Sequence, residues 1–318
     1  MLYPLKFEPI YKQKVWGGDK IKDIKSDQNV PNNCGESWEI SAVQGDLSVV
    51  SNGFLKGNTI EEIIEIYMGE VVGDKVFDKF GIEFPILVKI IESKENLSLQ
   101  VHPDNIIAAK RHNAWGKSEL WYILNADPGS KLISGFNQNV NSKIFFDSIE
   151  NGNFDNYLNK PEIKTGEVYY IPAGRLHSLG KGVTLVEIQQ TSDITYRVYD
   201  YGRKDRELHL DLAEDVIDYK QSKEIKTSYK HTPDISNNII KNELFTVNFL
   251  PVMNTIIKDY YEYDSFIIYH LINGKITVIT DGDNHTSITK GETVLIPSSL
   301  RNIKIIPQQY SEILEIYI

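Results

Sequence analysis

The chain has 318 residues, 41% of them hydrophobic and 25% charged, the balance of an ordinary globular protein with room for two domains or one large one. Its 34 basic side chains against 44 acidic ones leave a formal net charge of −10, which argues against nucleic acid and anionic membrane as bulk partners while leaving room for a local basic pocket. Cys34 is the single cysteine, so an internal disulfide and a cysteine-built metal site are excluded, and any metal must be held by N and O ligands.

The first eight residues carry no apolar segment of signal-peptide length, and no run approaches a membrane span. The expectation is a reduced, cytoplasmic setting. Along the chain, Val15-Trp16-Gly17-Gly18 is an aromatic-glycine turn, followed by the run Gly35-Glu36-Ser37-Trp38-Glu39-Ile40-Ser41. Trp16 and Trp38 suit either the core or a wall for a sugar ring. Helical patterns are few, at 59–67, 105–112 and 210–219. Short runs rich in β-branched and aromatic residues are many, at 84–91, 120–124, 168–171, 183–188, 266–272 and 294–296, separated by Gly, Asn, Asp and Pro. That spacing predicts a mainly β chain, a sandwich or barrel with a few added helices.

An internal echo sharpens this. Gly166-Glu167-Val168-Tyr169-Tyr170-Ile171-Pro172 is matched by Gly291-Glu292-Thr293-Val294-Leu295-Ile296-Pro297, and Tyr122-Ile123-Leu124-Asn125 by His270-Leu271-Ile272-Asn273. Two related jelly-roll barrels follow. The expected division is 1–225 and 226–318, with the loop-rich stretch 220–242 as the connection. Asn302 stands where a counterpart of His177 would fall, and Ile267 where one of Glu119 would, so the metal is expected in the first barrel only.

The most informative segment is Leu97-Ser98-Leu99-Gln100-Val101-His102-Pro103-Asp104. On a strand, Ser98, Gln100 and His102 share one face while Leu97, Leu99 and Val101 turn to a core. Lys117-Ser118-Glu119 and Ile171-Pro172-Ala173-Gly174-Arg175-Leu176-His177 could close a site around them. Two imidazoles, a carboxylate and an amide oxygen form a mixed N/O set suited to zinc or a similar divalent ion. His112, His209, His231, His270 and His285 lack such a setting and are expected to be structural or at the surface. Arg197 and Arg203 either pair with acidic neighbours or face an anionic substrate, with guanidinium forks suited to phosphate. Lys117 shares the face of Glu119 on a strand. Glu187, a carboxylate in an apolar strand, is either a salt-bridge partner or a general acid or base.

Together these residues resemble the type I phosphomannose isomerases of the cupin superfamily, in a short bacterial form. The likeness is most specific in 98–104, 116–119 and 171–178, and runs on from Glu187 to Arg203. It implies two cupin-type jelly-roll barrels and interconversion of mannose 6-phosphate and fructose 6-phosphate through an enediol. It also implies one zinc ion per chain on Gln100, His102, Glu119 and His177. Arg197, Lys117 and Glu187 become the polar groups around the reacting carbons. Ser98 and Arg203 fall at phosphate-contact positions, Arg203 where larger relatives carry lysine, and Trp16 is a candidate sugar contact. A hexose 6-phosphate is then the small-molecule partner of a monomer or homodimer. Competing expectations are a non-catalytic sugar-phosphate-binding cupin and an iron-dependent cupin dioxygenase.

Overall fold

Period-two runs become strands throughout the computed structural model, which describes residues 2–282 and 284–318. Among these residues the fold is mainly β and falls into two barrels of paired sheets. The first barrel joins a six-stranded antiparallel sheet, ordered Ile10–Gly18, Cys34–Ile40, Ile86–Ser93, Val183–Gln190, Glu119–Ala126 and Val168–Ile171, to a second sheet. That partner sheet is ordered Tyr196–Tyr199, Leu99–Val101, His177–Leu179 and Leu132–Ser134. The second barrel pairs five strands from Asn237–Lys241 through Thr293–Ile296 with four, Ile256–Asp259, Asn302–Pro307, Lys275–Thr280 and Asn284–Thr289. The two Gly-Glu-to-Ile-Pro segments occupy matching places: Glu119 lies opposite Ile171, and Ile267 opposite Ile296.

The strand Val183–Gln190 explains how the barrels fit together. Every one of its residues is buried, because both faces of its sheet are covered. Val186 and Ile188 belong to a core cluster that also contains Phe245, Phe249, Phe266 and Leu314 of the second barrel. Tyr122 stacks on Phe249 across this junction, with centroids 6.3 Å apart and planes at 12°. Val183 and Leu185 point the other way, into the first barrel, with Trp16, Ile91 and Trp121. The alternation that buries an apolar face between barrels therefore turns Glu187 inward. Cross-strand register then sets Trp38, Lys89, Glu187, Trp121 and Tyr169 in one row across five strands.

Several expectations on local structure change. Leu5 pairs with Leu295 of the second barrel, so the N-terminal segment reaches across the expected division. Within 220–242, Asn237–Lys241 is a strand, Gln221 bridges Phe136 and Thr227 bridges Val168. The stretch is thus tied to sheet edges along much of its length. The expected helix 210–219 stops early, as Leu210–Glu214, because Val216 and Ile217 both donate to the Ala213 carbonyl and Asp218 donates to Gly174. The helix Asn105–His112 matches expectation, capped by Asp104, whose carboxylate accepts from Ile107 N at 2.8 Å. Ile60–Tyr67 also forms, closed by a Thr59/Glu62 capping box.

Candidate active site

The aromatic-glycine segment expected as a turn is instead the end of the strand Ile10–Gly18, and its glycines are a packing device. A Cβ on Gly17 would lie 2.4 Å from Asn33 O and 2.5 Å from Gly35 N. One on Gly18 would lie 1.9 Å from Glu92 Oε1. Only glycine lets this strand close on its neighbour, where the register slips between Gln13 and Gly18. That closure carries Trp16 to the mouth of the first barrel.

The short strand Leu99–Val101 lies between His177–Leu179 and Tyr196–Tyr199, with Gln100 opposite both His177 and Arg197. Leu99 and Val101 turn into a core with Tyr196 and Val198, as alternation requires. Leu97 does not follow the expectation. It precedes the strand, packs with Trp16 and lies on the cavity wall. His102 and Glu119 complete the convergence, and the nitrogen and oxygen atoms offered by His102, Glu119 and His177 lie within 4.8 Å of one another. His102 Nε2 is 3.5 Å from Glu119 Oε2, and His177 Nε2 is 3.3 Å from Glu119 Oε1. All three residues are buried.

Hydrogen bonds from behind fix both rings. His102 Nδ1 donates to Ile194 O and His177 Nδ1 donates to Arg175 O, each at 2.8 Å. With the proton held at Nδ1, each ring offers a bare Nε2 lone pair to the centre. Burial pushes the His177 pKa down to about 4, and pushes His102 well below its ordinary value with help from Lys117. Both rings are therefore neutral. Glu119 moves the other way: burial, then the nearby Glu187 charge, raise its pKa. His102 Nε2 and both Glu119 oxygens are buried without a hydrogen-bond partner. Lys117 Nζ is an ion-pair contact of Glu119 Oε2 at 3.3 Å, outside hydrogen-bond geometry. Orphaned acceptors on two segments, facing the His177 ring of a third, are costly unless something binds them, and a divalent cation fits that donor set. Gln100 lies beside it, its amide 3.3 Å from His177 Nε2 and from Ser98 Oγ. Turning the amide so that oxygen faces the rings would make a fourth ligand.

In front of this group lies a cavity of about 380 Å³. Trp16, Ser98, Gln100, Lys117, Glu187 and Arg197, all singled out in the sequence, line it, and so does Trp38. Arg203 does not. Its guanidinium donates to Asp200 Oδ1 at 2.7 Å and to Asn96 O at 2.8 Å. Lys12, Lys14, Glu36, Lys89 and Arg206 also line the cavity, and sequence reasoning missed all five. Lys89 left a signal, one charge in the apolar run Leu87-Val88-Lys89-Ile90. Arg206 left none within its charged loop.

Glu187 is a salt-bridge partner. Lys89 Nζ donates to its Oε1 at 3.0 Å and Trp121 Nε1 to its Oε2 at 2.9 Å. Burial alone would raise its pKa, but Lys89 and Lys117 outweigh burial and hold it below the usual carboxylate range. Each lysine on the wall has its own carboxylate: Lys12 with Asp46, Lys14 with Glu36, Lys89 with Glu187 and Lys117 with Glu119.

Residues 4–125 match the family described as phosphomannose isomerase type I, catalytic domain. Over 314 residues, covering 95% of both chains, the sequence is 32% identical to mannose-6-phosphate isomerase ManA of Bacillus subtilis. It is 30% identical to mannose-6-phosphate isomerase of Streptococcus mutans over 318 residues, again 95% of each chain. The crystal structure of the mannose 6-phosphate isomerase from Bacillus subtilis superposes on the whole chain with a TM-score of 0.89 at 30% identity, and all of that chain is covered.

Proposed function

The chain belongs to the type I phosphomannose isomerases, and we propose from that premise that it interconverts D-mannose 6-phosphate and D-fructose 6-phosphate. The observation that carries this is the buried convergence of His102, Glu119 and His177 behind a cation-lined cavity, with His102 Nε2 and both Glu119 oxygens left without a partner. With Gln100 these residues would hold one zinc ion per chain. Bound there, it supplies Lewis acidity toward the sugar oxygens.

The remaining work falls to side chains. Isomerisation moves a proton between C1 and C2 and builds negative charge on oxygen in the enediol. Lys117 and Arg197, both on the cavity wall, place positive charge where that oxygen develops. Glu187 faces the same space with its carboxylate oriented by Lys89 and Trp121. Held ionised, it is a poor proton reservoir near neutral pH and a good acceptor for a sugar hydroxyl. Trp16 and Trp38 offer apolar faces to the ring, and Ser98 offers a hydroxyl. Residues 1–225 would carry the reaction and 226–318 would brace it without metal. No helix among the described residues is long and apolar enough to cross a membrane, and we place the reaction in the cytoplasm.

Turnover in heavy water tests the enediol. Deuterium should appear, at least in part, at C1 of fructose 6-phosphate formed from mannose 6-phosphate. Full conversion with no label in the product would replace proton transfer with a direct hydride shift.

A further inference from the structure

A phosphate dianion needs positive charge not already spent on a neighbour. Of the four lysines on the cavity wall, Lys12, Lys14 and Lys89 are each matched by a carboxylate, and Lys117 stands against Glu119 at the proposed metal group, where its charge serves the enediol oxygen. Arg197 is different: its Nη1 donates only to the Glu207 carbonyl at 2.8 Å, and its buried Nε has no partner. Arg206 shares Asp200 with Arg203, through Nε to Oδ2 at 2.9 Å and Nη2 to Oδ1. Two guanidinium groups on one carboxylate leave a surplus of one charge, and Arg197 brings the local surplus to two. Asp193, exposed at the cavity wall, and Asp205, an exposed neighbour whose charge acts on Arg197, work against it. Asp200 itself is buried.

The two arginines on Asp200 are not equivalent. Arg203 spends its Nη2 on the Asn96 carbonyl and its Nε on Asp200, and lies outside the cavity wall. Arg206 lines the cavity, and its Nη1 has no hydrogen-bond partner among the described residues. The loop holding it is drawn back onto the Arg197 strand, since His209 N donates to Arg197 O at 2.7 Å and Arg197 N donates to His209 Nδ1 at 3.1 Å.

We infer that Arg206, beside Arg197, is the guanidinium that binds the substrate's phosphate, while Arg203 braces Asp200 and touches no substrate. This rests on the proposed sugar-phosphate chemistry of the same cavity and revises the contact expected of Arg203 from resemblance.

Charge-conserving variants separate contact from field. Arg206→Lys should raise KM for mannose 6-phosphate about tenfold or more and weaken competitive inhibition by inorganic phosphate equally, with kcat within about threefold. Arg203→Lys should leave both constants within about twofold and show its effect in the melting temperature instead. Arg206→Gln, checked by circular dichroism, serves as a second variant and should weaken inorganic phosphate further. The inference is overturned if Arg203→Lys weakens phosphate as much as Arg206→Lys, or if Arg206→Lys leaves both constants unchanged. Should the wild-type protein turn over no mannose 6-phosphate, the isomerase proposal fails by itself. Calorimetric titration with inorganic phosphate then still decides for or against Arg206, by whether Arg206→Lys binds more weakly than wild type.

Discussion

Replacing Lys89 with methionine should destabilise the first barrel strongly while leaving every proposed metal ligand in place. Lys89 and Glu187 are each 5% exposed at the side chain, with 3.0 Å between Nζ and Oε1. The ammonium also sits 5.0 Å above the Trp38 ring and within the field of Glu36. Burial works to lower the Lys89 pKa, but Glu187 and Glu36 outweigh it and raise the value, so this lysine is charged. Removing it leaves the buried Glu187 carboxylate with Trp121 as its one remaining hydrogen-bond donor. Breaking a buried pair from one side costs about 3–5 kcal/mol. At roughly 2 cal/mol/K of unfolding entropy per residue, 318 residues convert that into a fall in melting temperature of about 5–8 °C. Urea and thermal unfolding of metal-stripped protein would measure it free of metal linkage. Adding Glu187→Gln should restore most of the loss, because the amide oxygen can still accept from Trp121 and no charge is left unpaired. A Lys89→Met variant within about 1 kcal/mol of wild type, or a double variant no better than the single, would refute the assignment of a buried ion pair.

Other consequences can be checked on the same protein. Gly17→Ala should destabilise by about 1–3 kcal/mol in urea unfolding, because the new methyl meets backbone atoms that cannot turn aside. Glu119→Gln should leave a folded protein whose bound zinc, measured by elemental analysis after dialysis, falls by about an order of magnitude or more. His270, buried in the second barrel with Nδ1 2.8 Å from Thr293 Oγ1, has its pKa pushed down to about 3 by burial, with Lys25 adding to the effect. Below about pH 6.5 the unfolded chain takes up a proton there that the folded barrel refuses. Stability should therefore drop by up to about 1.4 kcal/mol per pH unit until near the folded pKa. His270→Gln should flatten urea midpoints between roughly pH 6 and 4 relative to wild type; parallel curves would contradict this.

The candidate metal group was legible because its residues sit on or beside short strands next to Pro and Gly, which mark strand ends: His102, Glu119 and His177 converge, with Gln100 alongside. The helices Lys20–Lys25 and Asp74–Phe80 escaped notice, being too short to establish a period of 3.6, and the nine-residue helix Ser142–Glu150 escaped as well. Arg206 and Arg203 could not be told apart, since both lie in one charged loop and only the fold decides which one reaches the cavity. Glu187 was left between two roles by its sequence, and the second barrel helps explain why. Tyr269 there lies opposite Glu315 as Trp121 lies opposite Glu187. Glu315 is likewise buried, and is held by Lys258 at 3.0 Å and Asn248 at 2.8 Å. A paired carboxylate at this position thus belongs to the architecture of both barrels, and only the first surrounds it with His102, Glu119 and His177.

A coupled assay of mannose 6-phosphate conversion to fructose 6-phosphate, run on the protein as isolated, after chelation and after zinc is restored, bears most directly on the whole scheme. Activity should vanish with the metal, return with zinc, and stay absent in His177→Ala. Undiminished turnover after complete metal removal, or no turnover in a folded and zinc-loaded protein, would contradict it.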